Sequence, residues 1–119
     1  MNKIELLTDA ELPEKFAYPR ELNRMISLGL TDLEPWYLLS GKPLRDTIKG
    51  LNERYSERKL VPFARRQDND DVACWQAGSA SVVFIIHDFA SKGFEQRGQF
   101  VDFYAWLRRA VDDFIEFDT

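Results

Sequence analysis

The chain has 119 residues, 45% of them hydrophobic and 30% charged, with 20 acids against 16 bases for a net charge of −4. That length holds one core and not two, and the composition is that of a globular domain rather than a disordered tail. The acidic balance excludes a duplex-binding footprint, because Arg65–Arg66 and Arg108–Arg109 are pairs and no Lys/Arg run exists to neutralise phosphates.

Cys74 is the single cysteine, so no internal disulfide forms and a reducing compartment is expected. The opening "MNKIELLTDAELPEKF" carries acids where a signal peptide needs a basic stretch and an apolar run. "VVFII", Val82 to Ile86, is far shorter than the roughly 20 apolar residues of a membrane span. The expectation is a cytoplasmic single domain over residues 1–119.

In chain order, a first helix is predicted over Glu21 to Gly29, after Pro19, with Leu22, Met25 and Ile26 on one face and Gly29 as the stop. "TDLEPWYLLSG", Thr31 to Gly41, reads as a short helical turn that packs Trp36 on the core. A further helix begins near Pro43, and Leu44, Ile48, Leu51 and Tyr55 recur at helical spacing. Gly50 weakens it by up to about 1 kcal/mol relative to alanine.

After Lys59 the period changes to that of strands: Leu60 to Arg65, Val72 to Gln76, and Ser81 to His87. Gln67 to Asp71 is the first hairpin loop and Ala77 to Ala80 the second, tightened by Gly78. Pro62 lacks a ladder donor, so its strand is expected at an edge or with Pro62 facing away from its partner. "VVFII" does not alternate, which predicts a central strand covered on both faces.

Lys92 to Gly98 reads as a loop, and from Gln99 a long helix is predicted. Its apolar stripe comprises Phe100, Phe103, Tyr104, Leu107, Val111, Phe114 and Ile115. Trp106 falls off the centre of that stripe and is expected to be partly exposed. The resulting architecture is α+β: N-terminal helices, an antiparallel meander, and a long C-terminal helix packed on the sheet.

"RRQDNDDVACW", Arg65 to Trp75, is the stretch densest in polar chemistry. A calcium loop begun at Asp68 continues through Asp70 but then meets Val72, Ala73 and Ser79 where a ligand, a glycine and a bidentate glutamate are needed. Asp68-Asn69-Asp70 has an Asp-x-Asp spacing found in some nucleotide-sugar enzymes, yet adjacent aspartates also simply cap turns. Cys74, His87 and Asp88 are the only set around a thiol nucleophile, and the hairpin register holds thiol and imidazole several strand residues apart. Cys74 therefore reads as a buried small hydrophobe, and His87 as the partner of a neighbouring acid or backbone group. No glycine-rich phosphate loop, zinc cluster or nucleophile elbow is present. No catalytic residue, metal or cofactor is expected.

The C-terminal helix ends in "DDFIEFD", which puts Asp112, Asp113, Glu116 and Asp118 where the helix dipole disfavours negative charge. They are either solvated residues at a frayed end or part of an acidic surface that meets a basic partner.

"LVPFARRQDNDDVACW", preceded by "YPRELNRMISLGLTDLEPWYLL", resembles the SMI1/KNR4 (SUKH) superfamily over Tyr18 to Ile86, with a compatible C-terminal helix. The resemblance rests on a helix, an aromatic-rich turn, a "P-F-A" strand, an acidic turn and a strand with a buried aromatic. It implies a non-enzymatic α+β module, in bacteria often a cytoplasmic immunity protein that neutralises a toxin, frequently a nuclease. The family's acidic turn maps to Asp68, Asn69, Asp70 and Asp71. The expected partner is a protein, such as a basic toxin domain, and neither nucleic acid nor membrane; Asp112, Asp113 and Glu116 extend the candidate surface. A regulatory scaffold of the same fold and a small metal-dependent enzyme using Asp68, Asp70 and Asp71 are the alternatives.

Overall fold

A computed structural model describes residues 3–118, so Met1, Asn2 and Thr119 of the expected 1–119 domain lie outside it. Three helices, α1 (Arg20–Ser27), α2 (Gly41–Arg54) and α3 (Phe103–Phe117), accompany six strands. The strands are β1 (Asp32–Leu33), β2 (Trp36–Leu38), β3 (Leu60–Arg66), β4 (Asp71–Gln76), β5 (Val83–His87) and β6 (Gln96–Phe100). They pair antiparallel in chain order as one sheet. The fold is α+β, with the meander and the long C-terminal helix that the periodicities predict.

Alternation along each strand sends side chains to opposite faces, and both faces are covered. Val61, Phe63, Ala73, Trp75, Val83 and Ile85 join Leu22 and Met25 of α1 and Phe103, Trp106 and Ala110 of α3 in one cluster. Leu60, Val72, Cys74 and Ile86 meet Leu44, Leu51 and Tyr55 behind the sheet in the other. β5 contributes to both, which is why its sequence lacks alternation. Trp75 is the hub of the first cluster, with the Phe63 ring 4.3 Å and the Phe16 ring 5.5 Å from it; such pairs add about 0.5–1.5 kcal/mol each beyond area burial.

The hairpin around Gly78, where φ is +87°, pairs Cys74 with Phe84 and Asp71 with His87, as its loop length predicts. Thr31 to Gly41 is not a helical turn but the β1–β2 hairpin, with Glu34–Pro35 at its tip in a cis peptide and Trp36 4% exposed. β3 is an interior strand rather than an edge. Pro62 fits there because the β3–β4 register shifts between Pro62 and Ala64, and β2 pairs with Ala64–Arg66 only. The expected loop at Lys92 to Gly98 ends in β6, whose polar residues carry no apolar alternation to read.

Phe100 belongs to β6, and α3 starts at Phe103 after Asp102, whose Oδ1 accepts the Ala105 N–H at 2.8 Å. The buried face of α3 is Phe103, Trp106, Ala110 and Asp113. Relative to the expected stripe this is a rotation of about one residue around the helix, or ~100°. Trp106 is consequently core, 1% exposed and edge-on to Trp36 at 5.5 Å between centroids.

Candidate functional site

The acidic turn is built by the end of β3 and the start of β4. Asn69 Oδ1 accepts the Asp71 N–H at 2.8 Å, the local closure that asparagine makes in turns. Asp68 meets Arg66 at two points, Nε to Oδ1 at 2.9 Å and Nη2 to Oδ2 at 3.0 Å. These bonds from Arg66 hold the Asp68 carboxyl below its ordinary value. Asp70, the most exposed of the three aspartates, lies 3.4 Å from Arg65 Nη2, while its carbonyl accepts the Asp88 N–H. Asp71 Oδ1 is 3.0 Å from His87 Nδ1, giving the imidazole the acid partner expected for it. Each aspartate of the turn thus faces a different basic side chain of this chain. Among the described residues, no group of three or more acidic, cysteine or histidine side chains is arranged to hold a metal ion.

Arg66 also reaches into the protein, its Nη1 lying 3.4 Å from Asp113 Oδ2. Asp113 does not sit in solvent at a frayed end, and this corrects both readings of it. It is 6% exposed, accepts Trp36 Nε1 at 2.9 Å on Oδ2 and Arg109 Nε at 3.1 Å on Oδ1. The turn and the C-terminal helix, distant in sequence, are therefore joined through one arginine. Asp112 and Glu116 are on the exposed side of α3.

Asp88, weighed above beside the thiol, is a clamp instead. At 2% exposure it accepts Arg54 Nε at 3.0 Å, Arg65 Nη1 at 3.2 Å and the Phe89 N–H at 2.9 Å. Cys74 is fully buried, and burial pushes its thiol far above the ordinary thiol range. Its strand position is paired with Phe84 while His87 is paired with Asp71, so thiol and imidazole do not meet.

Glu95 is a third buried acid, with no signal in the sequence; it accepts the Gly93 N–H at 2.6 Å and Arg58 Nη1 at 3.1 Å. Burial raises its pKa, but the backbone N–H groups of Glu95 and Gly93 and the Arg58 guanidinium together outweigh that and leave it below the ordinary 4.5. Carboxyls lowered on folding contribute stability that is complete above their ordinary values and is lost as pH falls through the folded ones. The urea midpoint is accordingly expected to decline as the buffer is acidified below about 4.5. Glu95→Gln should flatten that decline, and an unchanged slope would refute the assignment.

Beyond its buried face, α3 carries apolar side chains in solvent. Val111, Phe114 and Ile115 are 39%, 44% and 56% exposed, and Leu28 and Leu30 after α1 are exposed as well. Asp112, Glu116 and Asp118 lie on the same exposed half-turns, and no basic residue occupies the last turn. Three of the seven residues of the expected stripe are therefore surface rather than core.

Fold and surface define an antiparallel α+β domain with a charge-compensated turn and an acid-flanked apolar helix face. Comparisons with protein-family models, with curated proteins and with solved structures return no match.

Proposed function

We propose that the chain is a non-enzymatic protein-binding module of the SMI1/KNR4 (SUKH) type, an immunity protein that covers a basic toxin domain. The observation that carries this reading is the outer face of α3, where Val111, Phe114 and Ile115 stay exposed beside Asp112 and Glu116. Contiguous exposed apolar side chains rimmed by charge mark interaction sites, and the acids select a basic partner while steering its approach. The acids at the negative end of the helix dipole also find a reason, since a cationic partner offsets their repulsion. The Asp68–Asp71 turn contributes less than its composition implies, because its charges are met from within.

The test is pull-down, calorimetry and growth rescue with a toxin domain encoded by a gene neighbouring that of this chain, and the lack of any such gene would count against the immunity role. Asp112→Lys with Glu116→Lys is expected to weaken toxin binding about tenfold or more and to abolish rescue, whereas Asp70→Lys changes affinity by less than about twofold. Undiminished binding by the folded double variant would overturn the assignment of this face. Binding without rescue would point to a scaffold of the same fold.

A further inference from the structure

A second concave site, independent of the α3 outer face, opens between β6, the end of β3 and the inner side of α3. It encloses about 350 Å³, within the ~300–1,000 Å³ usual for small-ligand sites. Its charged lining is Arg66, Arg97 and Arg109 against Asp71 and Asp113. Arg66 is also met by Asp68 outside this lining, so the formal charges balance, and what the cleft offers is the donors of Arg97 and Arg109.

Among the described residues, most carboxylate oxygens of this cleft are engaged and several donors are not. Asp113 uses both oxygens on Trp36, Arg66 and Arg109, and Asp71 Oδ1 is held by His87. Arg66 spends Nε, Nη1 and Nη2 on Asp68 and Asp113. Among the described residues, Arg109 uses Nε alone, with no partner on its two terminal nitrogens, and Arg97 has a 3.9 Å approach of Nε to Asp71. Trp106, part of the wall, carries a buried indole N–H with no acceptor among the described residues. A cleft with surplus guanidinium donors is matched by a ligand that brings paired acceptors and negative charge.

The space itself has a cause in the sequence. Gly98 pairs with Ile85, so a side chain at 98 would share the face of Ile85, and a Cβ built there meets nothing within 4 Å. The absent side chain leaves room beside Ile85 and Phe100, which with the tryptophans give the cleft an apolar wall.

We propose that this cleft binds a small organic monocarboxylate, its apolar body against Phe100 and Ile85 and its carboxylate on the forks of Arg97 and Arg109. The planar guanidinium presents paired N–H groups that match the two oxygens of a carboxylate, and the apolar wall favours an organic acid over phosphate.

Benzoate is the probe, titrated into the full chain by calorimetry and by tryptophan fluorescence, since Trp36 and Trp106 line the cleft. Saturable binding is expected at about 10 mM or below, with benzamide and inorganic phosphate at least about tenfold weaker. Arg97→Gln with Arg109→Gln should weaken benzoate about tenfold or more. Gly98→Leu should abolish binding by filling the space while the melting temperature holds or rises, because glycine is a poor strand residue. Absence of saturation, equal binding of benzamide or phosphate, or full affinity in either folded variant would overturn the proposal.

Discussion

Asp113→Ala is expected to lower the unfolding free energy by about 3 kcal/mol, read as a fall in the urea midpoint. The largest part comes from Trp36, which is 4% exposed and whose indole N–H loses its 2.9 Å acceptor inside the core. Arg66 loses the end of its reach into the protein, whereas Arg109, more than half exposed, turns to water and contributes little. Asp113→Asn keeps a neutral acceptor for Trp36 and should cost about half as much. A solvated aspartate at a helix end would change stability by no more than ~0.5 kcal/mol. A result that small would remove Asp113 from the core.

Trp106→Ala is expected to cost about 4 kcal/mol, in the range for deleting a buried tryptophan. Its ring is 4.8 Å from that of Phe63 and 5.5 Å from those of Phe103 and Trp36, so the cavity is bounded by large rings held by other neighbours and cannot simply collapse. Trp106→Phe separates volume from polarity. It keeps most of the ring and removes a donor that lacks an acceptor, so it should cost only about 1 kcal/mol. Thermal or urea unfolding of both variants decides this, and an alanine variant as stable as wild type would place Trp106 at the surface.

Those two residues also mark where the sequence stopped being legible. α1, α2 and strands β3 to β5 follow from periodicity and turn residues, and even the Asp71–His87 pairing follows from the short loop at Gly78. For α3 the apolar periodicity predicts the helix but not its buried face. A stripe drawn through Val111, Phe114 and Ile115 counts every apolar side chain as core, while the real face includes Ala110 and Asp113, which score weakly or not at all. The burial of Asp113 depends on Trp36 and Arg66, which lie 77 and 47 positions away, and no local pattern encodes such a meeting. β6 was missed because Gln96, Arg97, Gly98 and Gln99 carry neither alternation nor β-branched residues; the strand exists because β5 offers it a ladder.

The acidic turn shows the same limit from the other side. Its composition was plain, but its electrostatic character was not, because Arg65, Arg66 and His87 compensate it only once the strands are in register. The candidate surface that remains is the outer side of α3, and the candidate cleft was visible only as two unremarked arginines and a glycine.

The form of β6 has a consequence for how this protein can meet others. A sheet is open to growth at its two borders, where unpaired backbone groups invite another chain to add a strand. Here one border is β1, two residues long, and the other is β6, which bears Arg97 and shifts register where Ile85 gives way to Ile86. Short, charged or bulged borders resist such additions. The protein is thereby guarded against edge-to-edge aggregation, and its associations are directed to side chains on helices rather than to backbone ladders.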